Sequence, residues 1–413
     1  MILSPPRKIV RGASSFSDPY TCVPPEEVTG RIEALQENMQ AEALDGCLLL
    51  QNIDIFYFSG TMQDGILFIP AQGNPTFWVR RSLERGRAES PLRDLRPQET
   101  LKQICQKLKA RLSPKTVLGL ELDILPINIF QRCADQLPDV ALTDISPLIR
   151  NLRSCKSDYE LQCIQKACRI SSEVFAAAKA LIKPGMSELE LQAELEYQAR
   201  IRGHLGIGRM RSWNNELFFG HVISGPAAAV RGYMDAPTNG IGLNPAFPQG
   251  ATIQPLQPGI PVSIDFMINY YGYLSDATRM FCLGEPDKKL ERAHHDLLEL
   301  NRQLLDAVKP GIEAGSLYEL ATELADTMKY GEYFLGFGSD RVSFIGHGIG
   351  LEVDEFPFLA RGSRQLLKEG MVFALEPKFI FPGLGIATIE NTCLVTKNGV
   401  ERLTKDNEKI IVV

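Results

Sequence analysis

The sequence predicts a two-domain α/β chain: alternating strands and helices first, then a larger α+β domain built around two carboxylate-bearing hairpins. Three observations carry this reading. A chain of 413 residues is long enough for two substantial hydrophobic cores. Short apolar runs punctuated by Gly, Asn, Asp and Pro alternate with amphipathic stretches up to residue 145. Beyond residue 157, long capped helical patterns are followed by period-two runs that carry acids at matched positions.

The elements follow in order. Residues 1–25 are rich in proline and lack periodicity, so they read as an irregular arm. The N-terminal domain is placed at 26–150. It opens with a helix over 27–43, whose Ile32, Leu35, Met39 and Leu44 mark one face, ending at Asp45-Gly46. Strands are expected at Cys47–Leu50, Ile55–Phe58, Ile66–Ile69 and Thr76–Val79. Helices near 98–112 and 126–137 alternate with strands near 116–121 and 140–145. A boundary falls near 146–157, and the second domain is placed at 151–413.

In that second domain Ser157-Asp158-Tyr159-Glu160 is a capping box opening a long helix, with Leu161, Ile164, Ala167, Ile170, Val174, Ala178 and Leu181 on one face. Pro184-Gly185 stops it, and Ser187-Glu188-Leu189-Glu190 caps the next. The pattern recurs: a helix over 288–308 ends at Lys309-Pro310-Gly311, and Ser316-Leu317-Tyr318-Glu319 is expected to cap another. The repetition suggests an internal duplication, each half being two helices and a hairpin that supplies two carboxylates.

The hairpins carry the chemistry. Asp265 and Asp276 lie symmetrically about the Tyr270-Tyr271 junction; a turn there makes them cross-strand neighbours with Cβ atoms about 5 Å apart. Glu376 and Glu390 are symmetric about Gly383, and His347 lies between the hairpins in Gly346-His347-Gly348-Ile349-Gly350. Facing carboxylates repel, so two such pairs on otherwise apolar strands call for a cation. Oxygen-rich sites with one imidazole suit Mn²⁺, Co²⁺, Fe²⁺ or Zn²⁺.

Composition excludes other classes. A net charge of −6 gives no footprint for nucleic acid or an anionic membrane. Nine cysteines without a C-x-x-C pair read as reduced thiols. The N-terminal residues show no apolar signal core and no segment nears 18 uninterrupted apolar residues, so the cytoplasm is the expected address. His294-His295 sits on a helical pattern and reads as ordinary solvated or satisfied histidine. The glycine-rich run around His347 lacks the Lys-Ser or Lys-Thr of a phosphate loop.

The stretches Asp265…Ser275-Asp276-Ala277-Thr278-Arg279, Gly346-His347-Gly348-Ile349-Gly350-Leu351-Glu352-Val353, Gly370-Met371-Val372-Phe373-Ala374-Leu375-Glu376-Pro377 and Ile389-Glu390-Asn391-Thr392 resemble the pita-bread metallopeptidases, the family of aminopeptidase P, prolidase and methionine aminopeptidase. Residues from Arg31 to about Arg87 resemble the creatinase-like N-terminal domain of its proline-directed branch, and Arg153-Ser154-Cys155-Lys156-Ser157 the start of that branch's catalytic domain. The resemblance implies a creatinase-like N-terminal α/β domain followed by a pseudo-twofold pita-bread catalytic domain. It implies two divalent ions per subunit, Mn²⁺ or Co²⁺ by family expectation with Zn²⁺ or Fe²⁺ admitted, held by the residues matching Asp265, Asp276, His347, Glu376 and Glu390. Asp276 and Glu390 match the bridging pair, and Glu376 matches the carboxylate that shuttles the proton from water to the leaving amine, so Glu376 and His347 are the candidate catalytic residues. The substrate would be a small peptide or amide cleaved near a free N-terminus, of Xaa-Pro type, and the assembly a homodimer.

The residues expected to face substrate depart from the family. Ser343, Asp354 and Gly232 stand where proline-directed members usually have histidines, and Thr388 stands where an arginine often does. Ser343, Asp354 and Thr388 are therefore candidate substrate-facing residues, with His221 and Tyr233 as replacement donors. These departures keep open a metal-dependent non-peptidase, a hydrolase or lyase on the same fold. A non-catalytic binding module is a third reading, but relatives of that kind have broken ligand sets, and all five positions are filled here. The Pro- and Gly-rich stretch from Asp235 to Gly259 is longer than this branch usually has and is expected to reshape the cleft.

Overall fold

The computed structural model describes residues 21–413 apart from 111, 113, 114 and 219. Most of the arm expected over 1–25 lies outside the described residues; residues 21–24 are irregular and a helix begins at Pro25. The chain divides into two compact units, one up to Leu152 and one from Arg153.

The first unit contains α1 (Pro25–Ala41), β1 (Gly46–Leu49), α2 (Asn52–Ser59), β2 (Gly65–Pro70), β3 (Thr76–Val79), α3 (Leu83–Glu89), β4 (Asp94–Pro97), α4 (Leu101–Lys109), β5 (Val117–Leu120), α5 (Ile127–Gln136) and β6 (Ala141–Asp144). Pro25 at the first helical position needs no hydrogen-bond acceptor, and Val28, Ile32, Leu35 and Met39 bury one stripe of α1. The strands form one sheet in the order β4-β3-β2-β1-β5-β6. Leu48, Ile66, Phe68, Trp78, Ile104 and Leu118 meet in its core.

One expectation fails here. Ile55–Phe58 is helix, not strand. A short apolar run fits either state by periodicity; its ends decide. The Gln51 side chain accepts from the Asp54 N–H at one end, and Gly60 closes the other at φ 74°.

The helix α6 (Ser146–Ser154) carries the chain into the second unit. There follow α7 (Asp158–Leu181), α8 (Glu188–Ile201), β7 (Gly220–Ser224), α9 (Gly225–Ala228), β8 (Val262–Tyr270), β9 (Tyr273–Cys282), α10 (Lys288–Ala307) and α11 (Ala314–Thr327). After these come β10 (Phe344–Ile349), β11 (Val353–Ala360), β12 (Val372–Leu375), β13 (Lys378–Phe381), β14 (Gly385–Thr388), β15 (Asn391–Thr396), β16 (Gly399–Arg402) and β17 (Ile411–Val412). Both expected capping boxes form, at Ser157 with Glu160 and at Ser187 with Glu190.

Strands pair in the orders β17-β9-β8-β7 and β11-β10-β12-β15-β16, with β13-β14 as a separate hairpin. The apolar faces of α7 and α8 (Ile170, Val174, Leu191, Leu195) pack with Val222, Ile264 and Phe281. Those of α10 and α11 (Leu290, Leu297, Leu317) pack with Phe373, Leu375 and Phe379. The same plan thus occurs twice: two helices over a set of strands. Each buried Leu, Ile or Phe contributes about 1.5–3 kcal/mol, so these two cores hold the strands that carry the acids.

The cap expected at Ser316 is not there. Helix α11 starts two residues earlier, and the Ser316 hydroxyl donates to the Glu313 carbonyl at 2.7 Å. Backbone partners replace the cap: Ala314 N–H donates to Gln365 O and Gly315 N–H to Ser363 O. Among the described residues no helix is long and apolar enough to cross a membrane.

Candidate metal centre

The first hairpin sets two acids on one face, but one register step away from the sequence expectation. Tyr271 and Gly272 both have positive φ, 53° and 91°, and form the two-residue turn, so Tyr270 pairs with Tyr273. Asp265 therefore faces Thr278, and Asp276 faces Met267. The two acids are diagonal neighbours, not directly opposed; the glycine moves the turn because it takes the left-handed conformation at little steric cost. The second hairpin keeps the expected centre, Lys378 pairing with Thr388 about Gly383.

Each side chain is anchored by backbone. The Thr392 hydroxyl accepts from the Asp276 N–H at 2.9 Å and donates to its carbonyl at 2.8 Å. Glu376 leaves β12 with its N–H on Ile345 O at 2.8 Å. Glu390 is held from two sides. Thr278 Oγ1 donates to its carboxylate at 2.9 Å, and the fully buried Arg279 guanidinium donates to its carbonyl at 2.7 Å and to Asn391 Oδ1 at 3.0 Å. His347 lies on β10 between β11 and β12. The flanking glycines permit this: a Cβ on Gly346 would meet Ala374 O at 2.2 Å, and one on Gly348 would meet Phe356 O at 2.2 Å.

These elements bring ligand atoms of Asp276, His347 and Glu390 within 4.8 Å of one another, all buried. Asp276 Oδ1 has no hydrogen-bond partner. Burial, reinforced by Asp265, pushes the Asp276 carboxyl well above the usual carboxylate range; burial reinforced by Asp276 does the same to Glu390. His347 is affected oppositely: burial disfavours its charge, but Asp354, Glu376 and Asp276 hold it above its ordinary value. A buried, unpartnered oxygen amid like charges and an imidazole fits a divalent cation.

Asp265 and Glu376 stand beside this cluster and meet a group that the sequence reading passed over. Lys378 Nζ lies 2.8 Å from Glu376 Oε2 and 3.9 Å from Asp265 Oδ2. Burial opposes its charge, but Glu376, Asp265 and Glu390 hold the ammonium above its ordinary value. The signal was present: Lys378 opens the wholly buried strand Lys378-Phe379-Ile380-Phe381. A lysine there needs a counter-charge.

Of the expected substrate-facing residues, His221 and Asp354 line the cleft. His221 sits opposite Asp265 on β7, its Nε2 3.5 Å from Asp265 Oδ2, and burial lowers its pKa. Asp354, at φ 63°, has Oδ1 3.6 Å from His347 Nδ1. The other three do not line it. Ser343 is exposed just before β10. Tyr233 is 45% exposed and donates to Glu216 O. Thr388 is buried in β14 opposite Lys378. Thr388 shares its hairpin face with Lys378, whereas Ser343 and Tyr233 stand at exposed positions. The long loop does shape the cleft: Met234, Asp235, Ala236, Thr238, Asn239 and Gln249 line it.

Comparison with known proteins agrees with this arrangement. Residues 162–397 match the model of metallopeptidase family M24, and residues 31–155 that of the creatinase/prolidase N-terminal domain. The Xaa-Pro dipeptidase of Pyrococcus horikoshii is 29% identical over 92% of this chain and 98% of its own length. Among solved structures, an Xaa-Pro dipeptidase from Bacillus anthracis superposes with a TM-score of 0.79 at 27% identity, covering 94% of this chain and 100% of that one. An X-Pro aminopeptidase from Thermotoga maritima gives 0.77 at 26% identity, covering 92% and 99%. The M24 match spans more than half of the chain, which belongs to the metallopeptidase family M24 and carries the creatinase-type N-terminal domain before its catalytic domain.

Proposed function

We propose that this M24 metallopeptidase is an Xaa-Pro dipeptidase or aminopeptidase, cleaving a peptide bond near a free N-terminus, with Asp276, His347 and Glu390 as the core of its metal site. The observation that carries this is their buried cluster with an unpartnered Asp276 oxygen, in a chain whose relatives are named for Xaa-Pro cleavage. Mn²⁺ or Co²⁺ is the proposed ion, in a cytoplasmic homodimer.

When bound, a divalent cation supplies Lewis acidity, making water a competent nucleophile near neutral pH and polarising a carbonyl. The protein's own groups do the rest. Asp354 and the Gly348 carbonyl, 3.6 and 3.2 Å from His347 Nδ1, fix the ring so that Nε2 would be the nitrogen left to hold the ion. Glu376, oriented by Lys378, accepts the proton from water and returns it to the leaving amine. His221, its pKa lowered by burial, is neutral at pH 7 and supplies a polar edge to the substrate.

A panel of dipeptides and tripeptides with and without Xaa-Pro bonds, assayed in Mn²⁺, Co²⁺ and Zn²⁺, tests this reading. Turnover of Xaa-Pro peptides is expected, and Asp276→Ala should abolish both metal retention and hydrolysis. Full activity of that variant without metal would sink the proposal, and size-exclusion chromatography with light scattering checks the dimer.

A further inference from the structure

The five expected ligands differ in their nearest partners, although Glu376 Oε1 also lies 3.6 Å from His347 Nε2. Asp276, His347 and Glu390 converge on one another, and Asp276 keeps an unpartnered oxygen. Asp265 and Glu376 converge on Lys378. Among the described residues lining the cleft, Lys378 is the one lysine or arginine. Its side chain is 4% exposed, and the ion pairs the structure gives it are to those two carboxylates.

We infer that Lys378 is a resident cation that takes the place of one metal, so that this chain binds a single divalent ion, at Asp276, His347 and Glu390. This rests on the metal reading above and narrows its count from two.

The reason is competition for oxygen atoms. A transition ion sits about 2.0–2.2 Å from each carboxylate oxygen it binds. An ion on Glu376 Oε2 and Asp265 Oδ2 would take the oxygens nearest the ammonium, which already lies at hydrogen-bond distance from the first. It would strip a buried ammonium of its counter-charges and bring a second positive charge beside it. The stem starts a strand whose four residues are all buried, which holds the ammonium beside these carboxylates. The ammonium acts on the other group only at longer range: its charge opposes the upward shift of Asp276 and Glu390, but its ion pairs are to Asp265 and Glu376, and Asp276 Oδ1 is left without a hydrogen-bond partner.

The test is a count of metal. Protein saturated with Mn²⁺ and desalted is analysed by inductively coupled plasma mass spectrometry and by electron paramagnetic resonance. One ion per chain with the six-line spectrum of an isolated Mn²⁺ is expected for the natural protein, and two with an exchange-coupled spectrum for Lys378→Ala. Two ions in the natural protein, or still one in a folded Lys378→Ala, overturns the inference. If natural protein holds two ions and Lys378→Ala only raises KM for dipeptides, the lysine serves a substrate carboxylate instead.

Should Lys378→Ala fail to fold, Asp265→Asn and Asp276→Asn decide. Asp276→Asn should weaken Mn²⁺ binding by more than the roughly 10–100-fold typical of a supporting partner, whereas Asp265→Asn should stay at or below that range. Equal losses overturn the inference. No ion in the natural protein would instead sink the metal reading itself, which keeps the two failures distinct.

Discussion

Two buried acidic clusters lie close together in the second unit, and the protein treats them in opposite ways. In one, Glu355 accepts from Arg153 at 2.5 Å, from Lys156 at 2.9 Å and from the Leu351 N–H at 2.9 Å. Burial opposes its charge, but Arg153 and Lys156 more than offset that and hold the carboxyl down at about 2. In the other, Asp276 and Glu390 face further carboxylates and are pushed up. Burial is alike in the two clusters; the supply of positive charge differs. The matched cluster is a staple, closing the turn after His347 so that Gly350 packs against the Glu355 carboxylate. The unmatched one has the donor set of a cation site.

The contrast can be broken or sharpened by experiment. The largest effect on stability is expected for Glu355→Ala, which leaves Arg153 and Lys156 without their shared carboxylate and should cost about 3 kcal/mol in urea unfolding. A loss under about 1 kcal/mol would mean the staple is no more than a surface-type ion pair. Next is Arg279→Met, which removes the donors on the Glu390 carbonyl and should weaken metal binding about 10–100-fold by titration calorimetry.

A smaller effect separates the clusters by sign. Asp276 and Glu390 have folded values above their unfolded ones, so the metal-free chain binds protons more readily when folded. Their contribution to its stability grows as pH falls from 8 toward the ordinary carboxylate range near 4, against a loss from His204, His221 and His294, whose burial lowers their pKa. Glu355 works the other way: its contribution is present above its ordinary value of 4.5 and is lost as pH falls through about 2. Melting curves of the EDTA-treated protein and of Asp276→Asn between pH 8 and 5 read the difference, and the same pH dependence in the two would contradict it. The smallest effect is expected for Tyr233→Phe, whose hydroxyl donates to the Glu216 carbonyl at 3.4 Å; kcat/KM should stay within about twofold, well short of the losses seen when an oxyanion donor is removed.

Local signals in the chain were read correctly wherever they were self-sufficient. Ser157 with Glu160 and Ser187 with Glu190 specify helix starts by short-range hydrogen bonds, and both form. The symmetry about Gly383 matched the second hairpin's register, with Gly383 left-handed at φ 75° at the centre of the turn. The first hairpin slipped by one because Tyr271-Gly272 makes a better turn than the junction before it. Ile55–Phe58 became helix and Ser316 lost its cap for a common reason: the deciding hydrogen bonds came from neighbours outside the pattern, Gln51 in the first case, Ser363 and Gln365 in the second.

The five acidic and histidine positions, their order and their apolar surroundings are fixed by the sequence, since strand alternation and turn chemistry are short-range properties. What only the tertiary structure decided is which oxygen meets which charge. Asp276, His347 and Glu390 come from three different strand regions, and Lys378 reaches Asp265 across 113 positions of chain. Such encounters depend on how the sheets pack and on the low dielectric they create, where a single ammonium or its absence settles whether a carboxylate is a strut or a ligand.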